Sequence, residues 1–198
     1  MLKAIETHYK GYRFRSRLEA RWAVFFDHLN VPYEYEKEGY ELGNGRRYLP
    51  DFWLPSLNTW LEIKAQLTRM DGSPQDSMKE FPEPSPELKL CESFRDAQNW
   101  PIALSVGAPG QERIWLFGWD ERNDSLGTII SEYAWWCFSD HRATFHPNKG
   151  KTERVYLSGD FSTQIPWFIE EPRDHLYSVD EIEEAYETAK SARFEFGR

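Results

Sequence analysis

Asp51, Glu62 and Lys64 fall within the stretch "YLPDFWLPSLNTWLEIKAQ" (48–66). It reads as two apolar runs joined by a polar turn at "PSLN" (55–58). Centring a hairpin on that turn makes partner positions sum to 113, so Asp51 faces Glu62 and Leu49 faces Lys64. A bulge near Pro50 would shift the pairing by one. Side chains alternate along a strand. Glu62 and Lys64 therefore share a face with Trp60, and Asp51 shares its face with Leu49 and Trp53. Leu61, Ile63 and Ala65 take the other face, towards a core. Directly paired residues have Cβ atoms about 4.5–5.5 Å apart, where like charges repel. Two ionised carboxylates so placed call for a cation between them. Lys64 supplies one, and a hard divalent metal with oxygen ligands would supply more. Such a metal polarises a phosphoryl oxygen and acidifies bound water. A neighbouring lysine positions that water or stabilises developing negative charge. The chemistry of this set is phosphodiester hydrolysis. The other reading of the same residues is a surface hairpin with an exposed Asp–Lys–Glu cluster, worth little in stability.

The elements around the hairpin follow from periodicity. "SRLEARWAVFFDHLN" (16–30) predicts an amphipathic helix beginning at Arg17, with Leu18, Trp22, Phe25, Phe26 and Leu29 on one face. Ser16 and Glu19 form a capping box at its start. "YEYEKEGYEL" (33–42) predicts one strand by alternation. Residues 67–88, with four prolines, predict a long loop. "SPELKLCESFRDAQN" (85–99) predicts a second helix with Pro86 in its first turn. Strands are expected at 100–109, 113–120 and 128–139, and largely irregular chain over 140–177. "SVDEIEEAYETAKSARF" predicts a last helix with a Ser178/Glu181 capping box, an apolar face of Ile182, Ala185, Tyr186 and Ala189, and an acidic opposite face. The order helix, strand, strand, strand, helix, strand predicts an α/β fold, a mixed sheet flanked by helices.

Composition narrows the setting. No apolar run in the 198 residues reaches the roughly 18 that a membrane span needs, and "MLKAIETHYKGYRFRS" lacks the continuous apolar segment expected of a signal peptide. Cys91 and Cys137 are the only cysteines, which predicts a reduced cytoplasmic setting without a structural zinc site. The net charge is −9, but its distribution is uneven. Residues 1–66 carry ten Lys/Arg against nine Asp/Glu, whereas 121–198 carry nine against fifteen. Lys10, Arg13, Arg15, Arg17 and Arg21 form a basic patch near the hairpin. It reads either as a phosphate-contacting surface or as a solvated face. Aromatic runs such as "IWLFGW" and "AWWCF" read as core strands, and "HRATFHPN" (141–148) as a loop with two histidines.

The pattern Pro50-Asp51, an eleven-residue step, then Glu62-Ile63-Lys64 resembles the signature of the PD-(D/E)XK, or restriction-endonuclease-like, nuclease superfamily. "FRSRLEARWA" (14–23) looks like the first helix of its phage and bacterial endonuclease-like members. The resemblance covers roughly residues 9–108. It implies a nuclease core over 1–120 and a C-terminal extension over 121–198. It implies Mg2+ or Mn2+ held by Asp51, Glu62 and the Ile63 carbonyl, with Glu19 binding the metal or its water shell. Lys64 would orient or activate the attacking water. Gln66, Arg13, Arg15 and Arg17 become candidates for substrate contact, and DNA the expected partner. Ala65 stands where many relatives have glycine. Alternatives in other classes are a catalytically silent binding or inhibitor protein engaging a protein partner through its acidic C-terminal part, and an RNase on the same core. A homodimer cutting two strands and a nickase are both open.

Overall fold

In the computed structural model, residues 4–43, 45–55, 59–75 and 85–110 are described in full; beyond them it describes the strands at 113–120, 125–131, 134–139, 142–147 and 155–157, and residues 179–194. The fold is mixed α/β. Its centre is a six-stranded sheet of β1 (Glu34–Tyr35), β2 (Phe52–Leu54), β3 (Thr59–Lys64), β4 (Ile102–Val106), β5 (Arg113–Asp120) and β6 (Ser125–Ser131). These strands lie in the sheet in sequence order. Every junction is antiparallel except β3–β4, which is parallel. A parallel junction needs a crossover, and helix α2 (Pro86–Gln98) lies in the connection.

Two helices cover one sheet face. Helix α1 (Arg17–His28) starts at the expected residue because Ser16 caps it: Ser16 Oγ accepts from the Glu19 N–H at 3.2 Å. Its predicted stripe is buried at Trp22, Phe25, Phe26 and Leu29, with Leu18 packed at the margin. Helix α3 (Val179–Ser191) lies against α1 through Ala185, Tyr186 and Ala189. The Tyr186 and Phe25 rings stack at 5.0 Å. Ile182 and Ser178/Glu181 lie outside the residues described with side chains. The core on this side also takes Phe14, Phe52, Leu54, Leu61 and Ile63. Helix α2 covers the opposite face, capped by Ser85 Oγ accepting from Leu88 N–H at 3.1 Å. There Trp60, Ile102, Leu104, Phe94 and Cys91 form a second core.

Several local expectations are corrected. The single strand over 33–42 is two pieces: Glu34–Tyr35 joins the sheet, and Tyr40–Glu41 pairs with Arg47–Tyr48 in a separate ribbon. The break falls at Glu36, whose φ of 46° is incompatible with a continuing strand. The expected strand over 128–139 is split between β6 and Ala134–Ser139, which pairs with Arg142–Pro147 in a three-stranded sheet completed by Val155–Leu157. Within 140–177, described only at Arg142–Pro147 and Val155–Leu157, "HRATFHPN" is largely strand rather than loop. Ala65 is exposed rather than in the core, because β3 ends at Lys64. The long loop over 67–88 contains a small ribbon, Leu67–Thr68 with Pro74–Gln75; residues 76–84 lie outside the described ones. Within 121–198, β6 pairs with β5 in the main sheet and α3 packs on α1. Among the described residues, no helix is long and apolar enough to cross a membrane.

Candidate active site

The β2–β3 hairpin has the expected register. Phe52 pairs with Leu61, Trp53 with Trp60 and Leu54 with Thr59. Residues 56–58 of the proposed turn lie outside the described ones. The ladder stops one step short of Asp51. The reason lies in Pro50 and in the neighbouring strand. The Asp51 carbonyl accepts from the Glu36 N–H at 2.9 Å, so the Asp51 backbone faces β1, not β3. In this register Pro50 is the residue facing Ile63, and proline has no N–H to give. The Ile63 N–H is instead taken by Asp51 Oδ2 at 2.7 Å. In a strand the N–H and C=O of one residue point to the same neighbour. The Ile63 carbonyl is therefore directed to the same side, where Pro50 offers it no ladder bond.

Both carboxylates are buried: Asp51 and Glu62 are each 2% exposed. Asp51 Oδ1 accepts from the Arg15 guanidinium at 2.7 Å. Glu62 Oε1 pairs with Lys64 Nζ, and Glu62 Oε2 accepts from the Tyr48 hydroxyl at 2.7 Å. Lys64 is 34% exposed and opens the pair to solvent. Burial, reinforced by Glu62, holds the Asp51 carboxyl well above the ordinary carboxylate range. Burial works against the Lys64 ammonium, but Glu62 and Asp51 outweigh it and raise its pKa. Tyr48 is pushed well up by burial and by the negative groups beside it, so it remains a neutral donor.

Glu19 is buried at the start of α1 and is engaged three ways. Its Oε1 accepts from Ser16 Oγ at 2.6 Å, and its Oε2 accepts from Tyr35 Oη at 2.6 Å and from the Arg15 N–H at 3.1 Å. It still acts electrostatically on Asp51. The basic patch is largely paired within the protein. Lys10 meets Asp27 at 3.3 Å, Arg13 meets Glu6 at 2.7 Å, and Arg15 also meets Glu36 at 2.6 Å. Arg17 has partners of its own. Gln66 is exposed in the bend after β3.

A cleft of about 750 Å³ opens beside Glu62. Its lining includes Arg15, Tyr40, Arg47, Tyr48, Glu62 and Lys64. Tyr48, Tyr35 and Arg47 are parts of this region that the sequence reading passed over. Alternation could not have found Tyr48. It lies an even number of residues before Phe52 yet packs on the opposite core, because the chain changes phase around Pro50.

The donor set suits a hard divalent cation: two buried carboxylates with a backbone carbonyl aimed to their side. Against this, each carboxylate oxygen of the pair already has a protein partner. Among the described residues, no group of three His, Cys, Asp or Glu side chains is placed to hold a metal ion. A cation entering here has to displace Arg15 from Asp51 or Lys64 from Glu62. No protein family, curated protein or solved structure matches this chain.

Proposed function

We propose that the chain is a metal-dependent DNA endonuclease with a restriction-endonuclease-like core. The observation that carries the reading is the hairpin of Asp51, Glu62 and Lys64: two buried carboxylates and a partly exposed lysine at the edge of an open cleft. Mg2+ or Mn2+ bound there supplies Lewis acidity towards a phosphoryl oxygen and acidifies its own water. Asp51, Glu62 and the Ile63 carbonyl would hold it, with Glu19 acting on its water shell. Released from Glu62, Lys64 holds a water in line with the phosphorus and offsets the charge that develops in the transition state. Tyr48 keeps Glu62 aimed by its hydrogen bond, and Ile63 N–H does the same for Asp51.

Plasmid nicking by wild type and Lys64→Ala, with Mg2+ and with chelator, tests this. Nicking by the wild type alone, abolished by chelator, is the expected result. Equal activity in both proteins refutes the reading. Replacing DNA with RNA distinguishes a ribonuclease. One observation favours a second reading, a catalytically silent binding protein: Arg15, Lys64, Tyr48 and Ile63 N–H already satisfy the two carboxylates without metal. A calorimetric titration that shows no Mg2+ or Mn2+ uptake would select it.

A further inference from the structure

Three cationic side chains line the cleft: Arg15, Arg47 and Lys64. Two are already committed to the site's own carboxylates. Lys64 pairs with Glu62, and Arg15 bridges Asp51 and Glu36. Arg47 is exposed and has no ion pair or side-chain hydrogen bond among the described residues. Its cross-strand neighbour is Glu41, yet the two side chains form no salt bridge. A solvated surface arginine is the ordinary explanation for such a residue. The position and support of Arg47 argue for more. It sits on the ribbon Tyr40–Glu41/Arg47–Tyr48, and both tyrosines anchor that ribbon to the core under α2. The Tyr40 ring meets Trp60 at 5.3 Å and Phe94 at 5.1 Å, and the Tyr48 ring meets Phe94 at 5.5 Å. Arg47 is therefore presented to the cleft from a fixed base, next to the residues that would act on a phosphodiester.

Charge sharpens the point. A chain of net charge −9 repels a polyanion overall. Lys10, Arg13 and Arg15 are neutralised by their partners. An uncompensated guanidinium in the cleft then carries a disproportionate share of any attraction. Its planar fork matches two phosphate oxygens at once. The geometry points to Arg47 as the phosphate anchor of the substrate strand, gripping a backbone phosphate beside the one that is cut. This rests on the endonuclease reading and adds the residue that holds the DNA in the cleft.

The test is fluorescence anisotropy of labelled DNA and RNA duplexes with Ca2+ in place of Mg2+, over a range of salt concentrations. Wild type, Arg47→Ala, Arg47→Lys and Lys190→Ala are compared, with nicking kinetics in Mg2+ alongside. Lys190 lies on α3, across the sheet from the cleft, and controls for the loss of one positive charge. Arg47→Ala is expected to weaken binding about tenfold and to flatten the salt dependence by about one phosphate contact. KM rises and kcat holds. Arg47→Lys recovers part of the affinity, and Lys190→Ala behaves as wild type. If wild type binds and nicks DNA but Arg47→Ala matches it in affinity and salt slope, the anchor assignment is overturned and the endonuclease reading stands. If Arg47→Ala weakens RNA binding and leaves DNA binding unchanged, the DNA assignment is overturned. A wild type that neither binds nor nicks overturns both.

Discussion

The two faces of the central sheet are built to different ends. One is closed by α1 and α3 and filled with aromatic rings: Trp22, Phe25, Phe26, Phe52 and Tyr186 make a continuous chain of contacts. The other is covered by α2, whose buried side chains are few: Cys91, Phe94 and Arg95. On that side a cleft remains beside β3, bounded by the Tyr40–Tyr48 ribbon. The paired carboxylates lie at the seam. Leu61 and Ile63 send their side chains into the closed face, while Glu62 and Lys64 reach the open one. One strand thus serves both: its apolar residues fix its position, and its polar residues gain a rigid mount.

This division predicts that the faces respond differently to mutation. The largest expected effect is on the open face. Lys64→Ala should lower plasmid nicking roughly 10²–10⁴-fold and cost about 1–3 kcal/mol in unfolding, because it leaves the buried Glu62 Oε1 without its partner. Mg2+ should restore that stability, and a loss that persists with saturating Mg2+ would show that Lys64 holds the fold instead. Trp22→Ala strikes the closed face, where the ring is fully buried and its Nε1–H donates to the Gly107 carbonyl at 3.1 Å. It should cost about 3–5 kcal/mol in denaturant unfolding, with metal affinity unchanged at temperatures where the variant is folded. Tyr48→Phe sits between the two. It removes the donor to Glu62 Oε2 and should weaken Mg2+ binding about tenfold, read by calorimetry. The same variant should lose about 1–3 kcal/mol of stability by leaving a buried carboxylate oxygen unpaired.

The gentlest probe is pH. The folded chain holds Asp51 above its unfolded pKa, so between the two values the native state binds a proton that the unfolded chain releases. Stability without metal should therefore fall as pH rises from about 4 through the raised value. Asp51→Asn should flatten that slope, and added Mg2+ should reverse it at neutral pH. Chemical denaturation as a function of pH reads both.

Much of this frame was legible in the sequence because it is local. A capping box places the start of α1, and a turn centre sets the hairpin register. The 3.6-residue stripes found Trp22, Phe25, Phe26 and Tyr186. What escaped depends on breaks in periodicity or on distant partners. Glu36 leaves the strand through a positive φ that no glycine announces. Tyr48 changes face across Pro50. Arg15 finds Asp51 far along the chain, and that contact alters the charge available to a substrate more than any local pattern suggests. The strand expected over 128–139 failed for a related reason: a continuous apolar run does not say where the chain passes from one sheet to another.

The β3–β4 junction, being parallel, cannot form until the long connection holding α2 has looped back. The β2–β3 hairpin needs no such closure. In kinetic terms, the residues proposed to cut DNA sit on the part of the sheet with the shortest sequence separation between partners, whereas the Phe25–Tyr186 stack joins elements from opposite ends of the chain. Contacts of short separation assemble early and distant ones late. The carboxylate pair would then come together while the sheet is still half built, and the docking of α3 on α1 would be among the last events to lock its surroundings.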